Sequence, residues 1–328
     1  MAEVLWIAKA GVERHPLEEV GSLSGRNNGL LWVDFAEPNA DAVRTLSDVF
    51  GFHPLAVQDC IEPARIPKIH AYRDHVFLRL HVPEPGTGGK VHLLELSLFV
   101  GARYLVTVHQ PSDAVPRETI LRETLMVSAR LTAGRFQPTT TSELSYAIVS
   151  AVARRMEAFV WTLAGKIAAL EQDVMRAHGG SQQEVLDELF RLRHELLALR
   201  TAAAQSRELY ARMASLASRA ASPDARPYID DLLDQFDRVR GMCDGEREFL
   251  QGVLDFYQTQ TAHKMNLAME RLALLTAIVM PITAVASIYG MNIIAPAETS
   301  WLHLGVVLAI MGLMALGIIV WSKRRGWW

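Results

Sequence analysis

The sequence predicts a cytoplasmic α/β domain with a mixed sheet, then a long stalk helix and two C-terminal transmembrane helices. Three observations carry that expectation. Two runs without formal charge lie near the C-terminal end, Leu272 to Ala297 and Leu304 to Trp321. The first 135 residues alternate short strand-like and helix-like pieces, and after about Pro138 the apolar period becomes 3.6 and stays there. From Pro227 no further proline occurs until Pro281. The expected divisions are 1–135 for the α/β domain, 136–270 for the helical region and stalk, and 271–328 for the membrane domain, with spans at about 272–291 and 302–321.

In chain order, the N-terminal MAEVLWIAKAG has Glu3 early and an apolar run too short for a signal-peptide core, so most of the chain is expected in the cytoplasm. Leu30 to Phe35 reads as a strand. Asn39 can cap a helix to about Phe50, with Gly51 ending it. Pro54 suits the first turn of a short helix through Cys60. HVFLRLHV (75–82), LLELSLFV (93–100) and RYLVTVH (103–109) are β-rich runs. PGTGG (85–89) reads as a hairpin turn, because no GK[ST] and no helix follow it.

Thr141 or Ser142 with Glu143 can start a helix running to His178, ended by Gly179-Gly180. Ser181 with Glu184 forms a capping box for the next, to about Ala220, and Ser222-Pro223 breaks the chain. Beyond Pro227, apolar residues at Ile229, Leu232, Phe236, Val239, Cys243, Leu250, Val253 and Tyr257 approach a 3.5 repeat. One helix from Pro227 into the first span is the simplest account. Its roughly 60 residues would reach about 90 Å, too far for one domain to cover, so it is expected to pack against copies of itself.

The uncharged runs are each long enough to cross a hydrocarbon core of about 30 Å. Trp301 and Trp321 flank the second, where amphipathic rings favour the headgroup region. Lys264 and Arg271 precede the first span, and Lys323, Arg324 and Arg325 follow the second. The connecting loop has no Lys or Arg and one acid, Glu298. Basic flanks stay inside, which leaves both termini cytoplasmic.

Composition excludes several classes. Hydrophobic residues make up 50 % of the 328 and charged residues 21 %, which rules out disorder and a collagen-like repeat. A net charge of −3 offers no basic excess for nucleic acid. Cys60 and Cys243 form no CxxC pair and read as free thiols. Enzyme fingerprints are missing: no GxSxG, no HExxH, no Rossmann fingerprint and no Walker loop, hence no expected nucleotide partner. His70, His75 and His81 read as ordinary polar residues, with a zinc site as the alternative.

The first span is more informative. Asn266, Met269, Leu272, Thr276, Met280, Thr283 and Ser287 recur at three or four residues and form one stripe. Polar groups in hydrocarbon need partners or water. The stripe fits the wall of a narrow pore, and it equally fits close helix–helix packing through small polar residues.

The segment MPITAVASIYGMN (280–292), closing on Gly290-Met291-Asn292 before a short outer loop and a last helix, resembles the CorA family of divalent-cation transporters. The stretch VQDCIEPARIPKIHAYRDHVFL (57–78), the long helix and the basic tail add to the resemblance. It implies a homopentamer in the inner membrane, with the first span lining a central pore and the α/β domains forming a cytoplasmic funnel. It makes Asn292 an amide ring at the outer mouth, with Gly290 and Met291 holding its turn. The family's pore positions fall on Asn266, Met269, Leu272, Thr276, Met280 and Thr283. Its regulatory intersubunit metal site falls on Asp231, with Asp234 one turn later and Glu84 as the candidate partner acid.

Five amide oxygens can accept hydrogen bonds from the waters of Mg²⁺, an ion that dehydrates reluctantly. Divalent cations are thus the expected substrate and regulatory ligand, with no covalent cofactor. The same ring would also pass hydrated Co²⁺, Ni²⁺ or Zn²⁺; a sister branch moves Zn²⁺ and often has Val for Met in the tripeptide, so Met291 favours the Mg²⁺ branch. The rival from another class is a non-conducting membrane-anchored metal sensor or scaffold.

Overall fold

The computed structural model describes residues 2–64, 66–175, 182–220, 225–290 and 301–324. They belong to two compact units, Met1–Gly252 and Val253–Trp328. The first unit contains strands β1 (Ala2–Ala8), β2 (Gly11–His15), β3 (Gly29–Phe35), β4 (Lys68–Ala71), β5 (His75–Pro85), β6 (Val91–Gly101) and β7 (Tyr104–His109). They form one mixed sheet in the order β2-β1-β3-β7-β6-β5-β4. Only β3 and β7 pair in parallel.

β3, β5, β6 and β7 fall on the β-rich runs of the sequence. β1, β2 and β4 are additions. The N-terminal apolar run is a strand, with Val4 to Ile7 buried on both faces, and the chain reverses at Gly11 to pair with it. The expected hairpin turn joins β5 to β6, with Gly88 (φ 67°) and Gly89 (φ 77°) in the left-handed region.

Both faces of the sheet are covered, so successive strand residues are buried in opposite directions. Val4, Trp6, Val33, Phe77, Phe99 and Val106 pack against Leu46, Phe52 and Val57. Those last three come from the segment holding α1 (Val20–Ser24), α2 (Ala40–Arg44) and α3 (Pro54–Ile61). Asn39 caps α2 through Ala42 N–H at 2.9 Å, as its sequence position predicts. The expected helix to Phe50 continues as a wider π-type turn over Thr45–Val49 before Gly51 reverses the chain.

On the opposite face lie Leu78, Leu80, Leu96, Leu98 and Leu105. Short helices α4 (Arg117–Ile120) and α5 (Arg122–Thr132) lead to α6 (Thr141–Met175) and α7 (Gln182–Ala220), which both touch the sheet. The α6 cap sits one residue before the expected start. Thr140 Oγ1 accepts from Glu143 N–H at 3.1 Å, and the Glu143 carboxylate accepts from Thr139 N–H at 2.8 Å. The expected stop at Gly179-Gly180, the Ser181 cap and the Ser222-Pro223 break lie outside the described residues.

Helix α8 (Arg226–Gly290) is continuous, as expected, and α9 (Trp301–Arg324) follows. One expectation is corrected. The apolar repeat of α8 from Ile229 to Leu250 is at most 4 % exposed within its own chain. Tyr210 of α7 packs 5.9 Å from Phe236, Arg200 and Arg207 of α7 pair with Asp244 and Asp237, and Glu157 of α6 pairs with Arg238. Helices α6 and α7 therefore cover this stretch, and it needs no second copy.

A buried charge cluster ties three elements together. Arg155 of α6 donates to Glu84 Oε2 of β5 at 3.0 and 2.5 Å, and to both oxygens of Glu123 of α5 at 3.0 and 2.9 Å. Burial pushes the Glu123 carboxyl up, and Arg155 opposes that only in part. Arg155→Met would leave two buried carboxylates without their cation, a loss of about 3–5 kcal/mol. A carboxyl raised in the folded state contributes stability below its unfolded value and loses it as pH rises through its folded value. The variant should therefore melt further below wild type at pH 8 than at pH 5; an equal deficit would exclude Glu123 as the group that feels the loss.

Candidate functional site

Within the second unit, α8 and α9 are each long and apolar enough to cross a membrane. From Leu272 onward the α8 residues with reduced exposure are Leu274, Ile278, Pro281, Ile282 and Val285; on α9 they are Val307, Met311, Ala315, Ile318 and Ser322. Both sets recur at three or four residues, so each is one face of its helix.

Asn266, Met269, Leu272, Thr276, Met280, Thr283 and Ser287 are all exposed, Met280 to 69 %. From Leu272 onward each lies two residues from a covered position. At about 100° per residue, two residues amount to about 200°, so the stripe occupies the side opposite the covered face. Pro281 sits inside the helix and offers no N–H to the Ala277 carbonyl, a gap that spanning helices tolerate.

Two hydroxyls are satisfied within the helix. Thr276 Oγ1 donates to Leu272 O and Thr283 Oγ1 to Val279 O, both at 2.9 Å. Their hydrogens need no partner from a neighbouring helix, and each oxygen keeps acceptor capacity on the exposed side. Gly290 ends α8. Met291, Asn292 and Glu298 lie outside the described residues.

The acids proposed from the sequence divide. Asp231 is exposed on α8, and its Oδ2 accepts from Tyr146 O–H at 2.7 Å and Gln235 Nε2 at 2.5 Å. Burial, then the bond to Asp231, pushes the Tyr146 hydroxyl up. Asp234, one turn along, is exposed and has no partner among the described residues. Asp230 pairs with Arg226 at 3.2 Å. Glu84 is held in the Arg155 cluster, its Oε2 already accepting twice. Among the described residues no group of three or more His, Cys, Asp or Glu could hold a metal ion. His75 stacks on Tyr72 and meets the Phe52 ring at a tilt, while His81 bonds the Ala64 carbonyl at 2.8 Å and is pushed down by burial.

Sequence reasoning missed what positions the 57–67 stretch. Arg79 donates to the carbonyls of Asp59, Glu62 and Ile66, and Glu95 Oε1 accepts from Ala64 N–H at 2.8 Å. Gln110 donates to the Cys60 carbonyl at 2.6 Å. The available signal was a charge inside an otherwise apolar strand: Arg79 in HVFLRLHV and Glu95 in LLELSLFV.

A sheet-and-helix unit and two helices long and apolar enough to cross a membrane, the first with a polar stripe on an exposed face, fit the class of membrane proteins with a large non-membrane domain. Residues 27–324 match the family described as CorA-like Mg²⁺ transporter protein. The chain is 27 % identical over 297 residues to YfjQ of Bacillus subtilis, named for metal ion transport, covering 90 % of this chain and 89 % of that protein. It is 25 % identical over 294 residues to the cobalt/magnesium transport protein CorA of Thermotoga maritima, covering 88 % and 80 %. The complete CorA magnesium transporter structure from Methanocaldococcus jannaschii shares the fold, with a TM-score of 0.81 at 19 % identity over 100 % of this chain and 99 % of that one. The chain belongs to the CorA-like Mg²⁺ transporter family, whose members carry divalent cations and are not enzymes.

The in-helix bonds of the two threonines generate a prediction. Thr276→Val with Thr283→Val keeps shape and removes only the hydroxyls, so oligomer size and melting temperature in detergent should not change. Dissociation, or a clear fall in melting temperature, would show that these hydroxyls hold a neighbouring helix.

Proposed function

We propose that this chain forms a homopentameric pore in the inner membrane, with both termini cytoplasmic, that passes hydrated divalent cations passively, Mg²⁺ foremost. The observation that carries the reading is the stripe exposed along α8, which from Leu272 to Ser287 lies opposite the covered face. One chain with two spans cannot enclose a channel, so copies of the stripe must surround an axis. Asn266, Thr276, Thr283 and Ser287 then supply wet rings, and Leu272 and Met280 supply narrow apolar ones that can close by expelling water.

Gly290, Met291 and Asn292 make the outer mouth in this reading. The Asn292 amide oxygens accept from the ion's water shell and, being uncharged, release it. Glu298 is the single acid of the outer loop. Asp231 and Asp234 are the regulatory metal ligands from this chain; Glu84 keeps its place beside Arg155 and takes no part. Zn²⁺, Co²⁺ and Ni²⁺ are the alternative cargoes on the same ring.

Uptake of Mg²⁺, Zn²⁺, Co²⁺ and Ni²⁺ into proteoliposomes, compared side by side, tests the reading. Asn292→Ala should lower uptake at least ~10-fold, about 1.4 kcal/mol of barrier, with assembly intact. Wild-type uptake by an assembled variant would remove the amide ring from the mechanism.

Regulation is tested separately. Two neighbouring carboxylates repel each other unless a cation lies between them, so millimolar Mg²⁺ should raise the melting temperature. Asp231→Asn with Asp234→Asn should diminish that shift. A shift as large as wild type would leave these acids as a solvated helix face.

A further inference from the structure

A cavity of about 770 Å³ opens at one end of the sheet in the first unit. That volume falls within the range of about 300–1,000 Å³ common to small-molecule sites. It forms where the chain reverses direction: Lys9 follows β1, Asn27 and Asn28 precede β3, Arg73 lies between β4 and β5, and Arg103 between β6 and β7. The segment entering α6 closes it on another side, tied down by the Thr141 hydroxyl donating to the Gly101 carbonyl at 2.7 Å.

The charges around the cavity are one-sided. Lys9 and Arg73 are exposed and have no partner among the described residues. Arg103 donates through Nη1 to the Asn27 carbonyl, which anchors the guanidinium and leaves its other N–H groups available. Asp74 is the one carboxylate of the lining, and His75 Nδ1 already engages it at 2.9 Å. His75 also lines the cavity, is 4 % exposed, and its Nε2 has no partner.

Three cations from three separate turns give the cavity a positive lining that favours an anion. The start of α6 is not the attracting group, because Thr140 and Glu143 already cap it. Recognition falls on the side chains, and a guanidinium fork matches phosphate oxygens two at a time. We propose that this cavity binds a small, multiply charged phosphate-bearing anion, held by Lys9, Arg73 and Arg103. The chemistry is that of a di- or triphosphate group, carried by inorganic pyrophosphate or by a nucleotide. No phosphoryl transfer is involved. The site shares no residue with the ion pathway and does not depend on the transport reading.

The test uses the full chain in detergent, in EDTA and potassium salts at fixed ionic strength. Pyrophosphate and ATP are titrated separately by calorimetry, with sulfate as the control for charge alone. Saturable binding of either phosphate compound with Kd below about 1 mM, and at least tenfold weaker binding of sulfate, is expected. Tighter binding of ATP than of pyrophosphate would assign the nucleotide; comparable binding would assign the inorganic anion. Lys9→Gln with Arg73→Gln should weaken binding at least ~10-fold and leave the ligand-free melting temperature unchanged, since neither side chain holds a partner. Three results would each overturn the proposal: no saturation by about 10 mM, sulfate binding as tightly as the phosphate compounds, or wild-type affinity in the double variant.

Discussion

The backbone of a helix meets its own hydrogen-bonding needs, and α8 depends on that property more than any other element. Its 65 residues pass from a stretch that buries an apolar repeat against α6 and α7 to one that is apolar on nearly every face. A strand or loop would need outside partners for each N–H and C=O, which hydrocarbon cannot provide. Because the helix needs none, its side chains are free to change role along its length. Around Phe236 they make a core. Beyond Leu272 they divide into a covered face and an exposed stripe. The stripe differs from that core in kind: its two threonine hydroxyls bond back to their own helix, and its methionines and Leu272 are mostly exposed.

The first unit is held differently. Apolar residues cover both faces of its sheet, but buried polar groups fix the attachments. Arg155 joins β5, α5 and α6, and Arg79 holds the chain leaving α3. A third network links Asp34 of β3 to Thr107 and His109 of β7, with Thr124 of α5 bonding the same imidazole at 3.2 Å. Such groups cost free energy to bury and tolerate few alternative partners. Each therefore favours one arrangement of its elements where apolar contacts alone would accept several.

Periodicity made the long elements legible. The 3.6 period after Pro138 gave α6 and α7, and the uncharged runs gave the two apolar helices, because each signal repeats over many residues. β1 and β2 were not legible: Val4 to Ile7 is four apolar residues, a length that strands, helices and leader segments share. The apolar repeat of α8 was visible but its partner was not, since a 3.5 spacing is the same whether the covering helix comes from one's own chain or from another. The polar stripe was readable as a stripe. What the fold adds is that Leu274, Ile278, Pro281 and Val285 occupy the other side, which depends on α8 meeting the rest of its unit. Glu84 shows the limit for charged residues. The family resemblance brought it forward as a candidate ligand, while its actual partner Arg155, shared with Glu123, is distant in sequence.

Thiol accessibility in the membrane tests the central claim most directly, namely that the stripe faces water. Cys60 and Cys243 are buried, with their thiols pushed up to about 12, so they provide a quiet background. Single substitutions Thr276→Cys and Thr283→Cys are compared with Ile278→Cys and Val285→Cys on the covered face, each in proteoliposomes exposed to a membrane-impermeant cationic thiol reagent. Rapid labelling is expected at 276 and 283, with loss of divalent-cation flux, and slow labelling without effect at 278 and 285. Labelling at 278 and 285 with protection at 276 and 283 would contradict this, because the stripe would then be a packing surface and the water would lie elsewhere.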